Sequence, residues 1–461
     1  MARADAPSLR ASVGALTAPG FFHDRAVSVR YTELARGTSL GGRVAELSGR
    51  SVLLATGGQL TSALALIELD GVARRIVILP PDAEREHVPV IAAAAGIDAI
   101  VTDERSDTGA TLDVGVRVIC EPRIVPARCD APPVLSTEWV MLTSGTTGMP
   151  KLVVHSFAGL TAAIRARSPA DGAAVWGTFY DIRRYGGLQM LLRAVLGNAS
   201  LVLSSAHEPV AAHLARLKAH NITHLAGTPS HWRRALTSPA IRDIAPRYVR
   251  LSGEIADQTI LDALRATFPH AAVGHAYAST EAGVAFDVND GRAGFPADYV
   301  GTMRDGVEIK VVDGTLRIRS PRMAARYAGS DQALAGADGF VDTGDIVELR
   351  GDRYYFAGRR GGIIKIGGLK VHPEEVEAVI NRHPSVRMSL VRRKPSPVTG
   401  SVVVADVVLK TGAQDGNGRD IALKDDILHF CRAELPRHKV PAAISFVAAL
   451  NVAATGKLVR R

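Results

Sequence analysis

Short apolar runs alternate with amphipathic stretches through most of the chain. Ser51–Thr56 (SVLLAT) predicts a strand, LTSALALIELDGV from Leu60 a helix, and RIVILP from Arg75 a second strand. A helix around VPVIAAAAG and a strand AIVTD follow. Further along, ASLVLSS, PVAAHLARLKAHN, THLAGTP and DQTILDALRATFP repeat the order strand, helix, strand, helix. Strands separated by helical patterns predict parallel sheets with helices on both faces.

After about Tyr299 the pattern changes. GVEIKVVDGTLRIRS alternates with period two around Asp313-Gly314, a hairpin signal, and IVELRGDRYYFAG repeats the device at Gly351-Asp352. GRRGGIIKIGG, Gly358 to Gly368, holds five glycines in eleven residues, the composition of a hinge. Beyond it Pro373 opens a helix at the favoured first position, SVVVADVVLK predicts a strand, and LKDDILHFCRAEL a second helix. The fold class expected is α/β. Residues 1–357 form a large domain of stacked α/β subdomains closed by a β-rich section, and residues 358–461 a small, mobile α+β domain.

At 461 residues the chain is too long for one compact core. A hydrophobic content of 47% with 22% charged residues is ordinary for a folded protein, and no run approaches the ~18 apolar residues of a membrane span. The first twenty residues lack the apolar stretch of a secretory signal, so a cytoplasmic location is expected. Cys120, Cys129 and Cys431 have no metal-binding spacing and are expected to be reduced, structural thiols. The net charge of +9 is concentrated: from Gly358 onward 18 Lys and Arg face 9 Asp and Glu, leaving 37 against 37 before it. A basic small domain beside a neutral large one suits phosphate-bearing molecules or an acidic carrier protein. Without a basic stripe interleaved with aromatics, nucleic acid is not expected.

The segment MLTSGTTGMPK, Met141 to Lys151, concentrates small residues, hydroxyls and one lysine after an apolar strand. Its glycines let successive amide N–H groups point at an anion; Ser144, Thr146 and Thr147 add hydroxyl donors, and Lys151 a point charge. No Gly-Lys-Ser/Thr ending is present, so this is not a Walker A loop. VAATGKLVRR closes the sequence with Lys457, more than three hundred residues downstream.

In these motifs the chain resembles the adenylate-forming (AMP-binding) superfamily, which includes acyl-CoA synthetases, peptide-synthetase adenylation domains and luciferases. YASTE (Tyr277 to Glu281), GFVDTGDIVEL, FAGRRGGIIKIGGLKVHPEEVEAVI and the terminal TGK match in the family's order. The resemblance implies ATP and Mg2+ as cofactors, with coenzyme A as the acceptor of the activated acid. It places Thr143, Ser144, Gly145, Thr146, Thr147, Gly148 and Lys151 on the phosphates, with Gly253, Glu254, His275 and Ala276 also at the nucleotide. Glu281, with Thr143, is implied as the magnesium site, Thr280 as an α-phosphate contact and Tyr277 as a stacking partner of adenine. Asp345 resembles the aspartate that takes the ribose hydroxyls, and Arg359 the arginine near ribose and phosphates. Lys457 resembles the catalytic lysine, reaching α-phosphate and carboxylate oxygens, so that Lys457, Thr280 and Glu281 are the implied catalytic residues. Gly368 resembles the glycine lining the pantetheine tunnel after the small domain rotates. The chain departs from the pattern at Gly361, where the hinge residue is usually Asp or Lys, and at Lys370, usually Arg.

The family's acid pocket corresponds to WGTFYDIRRYGGLQMLLRAVLGNASLVL, here without a histidine. Asp181, Arg183, Arg184, Tyr185 and Gly186 fall in it. An arginine of this cluster facing the pocket would bind a second carboxylate or a keto group, and the aspartate an ammonium; alternatively the polar cluster caps a helix or pairs with itself. YDIRRYGG resembles ligases that join polyketide acids to amino acids, of the coronafacate ligase kind. The activity implied is formation of an acyl-adenylate with release of pyrophosphate, then transfer to coenzyme A. The alternatives are transfer to a carrier protein acting in trans, no carrier domain following Arg461, or to an amine. A non-catalytic nucleotide-binding relative is disfavoured by intact Lys457, Glu281 and Asp345.

Overall fold

The computed structural model describes residues 8–14, 20–103, 112–127, 135–143, 149–165, 173–205, 208–366, 369–396, 400–410, 417–451 and 457–458. Two mainly parallel sheets are built from the alternating segments. In one, strands Ser51–Ala55, Arg75–Ile78, Ala99–Thr102, Val116–Ile119 and Glu138–Thr143 run parallel, and Lys151–Ser156 turns back antiparallel on Glu138–Thr143. In the other, Phe21–His23, Ser200–Val202, Val175–Thr178, His224–Gly227, Tyr248–Ser252 and Ala272–Ser279 are parallel neighbours, with Gly283–Val288 antiparallel at the end.

Helices Gln59–Leu69 and Tyr185–Leu196 lie between these sheets, in one apolar cluster that holds Leu54 and Ile78 of the first sheet and Leu201 and Ala226 of the second. Every residue of Gln59–Leu69 is buried. A helix apolar on all sides is stable only inside such a layer, which is why its sequence shows no polar stripe. Its one acid, Glu68, is satisfied by Ser39 N–H and hydroxyl at 2.6 Å each, by Thr38 and by Arg10. Its start is held by Asp103, which accepts from Gly57 N at 2.8 Å and Gly58 N at 2.9 Å, a carboxylate at the positive helix end.

The β-rich section is a six-stranded antiparallel sheet with an aromatic core of its own. Its Val307–Val312 and Thr315–Arg319 hairpin turns through Asp313 (φ 51°) and Gly314 (φ 72°), both left-handed as a two-residue loop requires. Val341–Arg350 and Arg353–Arg359 form the second hairpin and place Asp345 opposite Arg359.

A smaller unit has a separate core running from Ile364 to Ile444. Helices Pro373–Ile380 and Asn417–Glu434 accompany a sheet of Val386–Ser396, Gly400–Leu409 and Ala443–Phe446. The chain is thus mixed α/β with a large N-terminal and a smaller C-terminal domain. No helix among the described residues is long and apolar enough to cross a membrane.

Candidate functional site

The strand ends of both parallel sheets open onto one cleft, the place where open α/β sheets bind ligands. Thr143 ends one strand, and Thr280 and Glu281 follow another; although 138 residues apart, Thr143 Oγ1 and Glu281 Oε1 lie 3.5 Å from each other. Glu281 has no ion-pair partner among the described residues. A hard carboxylate and a hydroxyl beside it are the donor chemistry that Mg2+ takes, so these residues fit the ion. Lys151, on the adjoining strand, donates to Gln332 at 3.1 Å and lies 4.9 Å over the Tyr327 ring. Ser144, Gly145, Thr146, Thr147, Gly148 and Gly368 lie outside the described residues.

Asp345 is buried and accepts from Tyr277 Oη at 2.5 Å and Arg359 Nε at 3.0 Å. Burial and the Asp345 charge hold the Tyr277 phenol far above its usual range, and Asp345 raises Arg359 in turn. The Tyr277 ring stacks on Phe356 (5.1 Å, 6°) and Phe286 (5.6 Å, 18°), so much of its area is committed to the aromatic core. Ala276 is buried, and His275 sets Nε2 3.0 Å from the Arg292 carbonyl.

Gly253 follows strand Tyr248–Ser252 with φ 91°, and a side chain there would come within 3.5 Å of Lys457 Cε. The terminal segment is therefore in the cleft. Glu254 joins it to the large domain: its Oε1 accepts from Leu458 N at 3.1 Å and Ser230 Oγ at 3.0 Å, while Oε2 accepts from Ser230 N at 2.8 Å. The Lys457 side chain is exposed yet surrounded by protein, as at the floor of an open cleft. Partial desolvation, then Arg359 and Arg184, lower its pKa from 10.5, while Glu254 and Asp345 oppose the shift. Lys457, Asp345, Arg359 and Glu254 thus form one electrostatic cluster.

In the acid-pocket segment the structure follows the second of the two alternatives, the polar cluster pairing with itself. Arg183 and Asp181 are both buried and paired bidentately, Nε to Oδ1 at 2.8 Å and Nη2 to Oδ2 at 2.6 Å. Arg183 also donates to the Thr56 carbonyl at 2.6 Å, which fixes the turn to the start of helix Gln59–Leu69. The guanidinium is consumed by charges and carbonyls a buried cation must have. Tyr185 is buried, and Gly186 packs on Tyr180. Arg184, pairing with Asp82, is the pocket-segment cation that influences Lys457. Nearby, His231 stacks on Phe179 (5.7 Å, 23°) and meets Tyr180 edge-on. Burial first, then Arg234, lowers the His231 pKa to about 3, so it is neutral at physiological pH. The sequence reading missed His231 and the bridging role of Glu254; the Thr228–His231 helix start was the signal for the first, since Thr228 and His231 cap each other's backbone.

Residues 59–327 match the family described as AMP-binding enzyme, and residues 375–457 match the AMP-binding enzyme C-terminal domain. Over 350 residues the chain is 25% identical to a 4-coumarate–CoA ligase of Arabidopsis thaliana, covering 69% of this chain and 61% of that one. The chain thus spans about three-fifths of the length of that relative. A 2-succinylbenzoate–CoA ligase of Bacillus velezensis is 25% identical over 432 residues, 90% of this chain and 82% of the relative. Among solved structures, an amide bond synthetase from Marinactinospora thermotolerans superposes with a TM-score of 0.80 at 19% identity, covering 98% of each chain. A benzoate CoA ligase from Burkholderia xenovorans gives 0.79 at 21%, again covering 98% of each.

Proposed function

The chain belongs to the AMP-binding enzyme family, and from that premise we propose that it activates a carboxylic acid with ATP as an acyl-adenylate, releasing pyrophosphate, and passes the acyl group to coenzyme A. The observation that carries this reading is the approach of the C-terminal segment to the strand ends of the large domain: the Lys457 segment, tied to Glu254, lies with Asp345 and Arg359, whose charge also feels Glu281 beside Thr143. Carboxylate attack on a phosphate brings two anions together, and a lysine delivered beside an arginine is suited to spread that charge. In this reading Glu281 and Thr143 hold Mg2+, which when bound neutralises phosphate charge. Asp345 takes the ribose hydroxyls, exchanging its Tyr277 and Arg359 donors for them. Lys457 acts in the adenylation step, and the small domain, divided from the large one at Gly358, then turns to admit the thiol.

We infer an aromatic acid as the substrate class. Two relatives are named for aromatic acids, and Phe179, Tyr180 and His231 gather aromatic surface beside Thr228 and Gly253. The test is a panel of aromatic and aliphatic acids assayed by hydroxylamine trapping, with and without coenzyme A. Acid-dependent hydroxamate with ATP, and a thioester by mass spectrometry once coenzyme A is added, is the expected result. A chain that releases no pyrophosphate with any acid is not an adenylating enzyme, and hydroxamate without thioester moves the acceptor to a carrier thiol or an amine.

A further inference from the structure

Away from the cleft, the two domains line a half-open cavity of about 390 Å³. The large domain contributes Arg233, Leu236, Thr259 and Ile260, and the small domain Asn381, Val386, Arg387 and Lys410. We propose that this interdomain cavity is a binding site for a phosphate-bearing anion, which holds the small domain in its present position.

The charge balance around the cavity carries the argument. Arg233 is neutralised by Asp257, whose other oxygen accepts from Ile260 N at 3.0 Å, so that carboxylate is fully committed. Among the described residues no carboxylate lines the cavity. Arg387 and Lys410 have no ion-pair partner among the described residues, and neither has Arg234, which faces Arg387 from the large domain. Burial, and then the charge of Arg234, disfavour the Arg387 cation. Like charges brought together across a domain boundary oppose closure unless an anion lies between them. Thr259, in the first turn of helix Gln258–Thr267, adds a hydroxyl at the positive helix end. The apolar floor of Leu236, Ile260 and Val386 leaves few competing polar partners, which strengthens a charge-assisted contact. Because the walls come from both domains, occupancy is coupled to their relative position.

Titration calorimetry with inorganic phosphate on the full chain tests the site, comparing wild type with Arg387→Gln/Lys410→Gln. The variant is expected to bind phosphate about tenfold more weakly or worse, with Arg387→Lys restoring part of the loss. Phosphate should raise the melting temperature of wild type more than that of the double variant. An adenosine bisphosphate and acetate form the further arms. Bisphosphate binding tighter than phosphate, with the gain lost in the variant, identifies a phosphorylated cofactor as the source; equal binding identifies free phosphate. No phosphate binding to wild type, equal affinity in wild type and double variant, or acetate binding as well as phosphate overturns the proposal. None of these readouts uses adenylating activity.

Discussion

At the scale of single residues, the cluster around Lys457 makes two predictions. Lys457 is exposed, so Lys457→Ala should fold as wild type does, yet lose adenylation by about 10²–10³-fold, the effect of removing one group aimed at transition-state charge. Pyrophosphate exchange checks it, and unchanged exchange refutes the assignment. The pH profile is the sharper measurement. Desolvation and Arg359 lower the lysine pKa, so its charge is lost below the usual 10.5 as pH rises, and the alkaline limb should fall early. Arg359→Gln removes a repelling cation and should move that limb to higher pH, whatever it does to the maximal rate. Arg183 is the opposite case. Its sequence neighbourhood permitted a ligand-facing arginine, because a cation and a carboxylate two residues apart in a turn can diverge or pair equally well. The buried fork with Asp181 settles the choice through tertiary burial, which local spacing does not encode. Arg183→Ala should therefore cost about 3–5 kcal/mol by leaving Asp181 buried and unpaired. Urea denaturation measures that loss, whereas a fully stable variant with altered acid preference would restore a role in recognition.

Among the elements, what the sequence displayed depended on where each one sits. Gln59–Leu69, Gln258–Thr267 and the hairpin at Asp313-Gly314 were legible because periodicity and turn chemistry are local properties. The cleft was legible only as separate motifs: Thr143 beside Glu281, or Tyr277 on Asp345, depends on strand ends far apart in sequence converging. Tyr277 illustrates the limit, since its motif marked a nucleotide contact while Phe286 and Phe356 bind its ring through strand register and hairpin placement. Glu254 was legible as part of a strand-end loop, but not as the bridge between helix Pro229–Ala235 and the terminal segment. That bridge has a measurable consequence. A charge-assisted hydrogen bond contributes about 1.5–3 kcal/mol, so Glu254→Gln, which cannot satisfy all three donors as a carboxylate does, should slow adenylate formation by roughly tenfold or more. Consumption of preformed adenylate by coenzyme A should stay near wild type if, as proposed, it takes place after the small domain has turned and the Lys457 segment has left. Single-turnover measurements of the two half-reactions distinguish this from general loss of structure, which would lower both.

For the whole molecule, the question is whether one small domain serves two steps. Gly358, in strand Arg353–Arg359, has φ 135°, and a side chain there would press on the Glu374 carboxylate of the small domain, which would have to move aside. Gly361 differs: nothing lies within 4 Å of where its Cβ would be, and it sits in a single 3₁₀ turn, Arg360–Gly362. A 3₁₀ turn has φ between about −50° and −70°, which proline's ring fixes near −65°. Gly361→Pro should thus leave the observed position of the small domain undisturbed, with Lys457 still in the cleft, while removing the dihedral freedom through which glycine would admit a second position. Adenylate formation should proceed at about the wild-type rate, and transfer to the acceptor should drop by an order of magnitude or more, with acyl-AMP accumulating on the protein. Quench-flow with radiolabelled ATP would detect that accumulation directly. Equal loss of both half-reactions would mean that the substitution disturbs the present arrangement, and unimpaired transfer would place the rotation elsewhere in Gly358–Gly362 or remove it from the mechanism altogether.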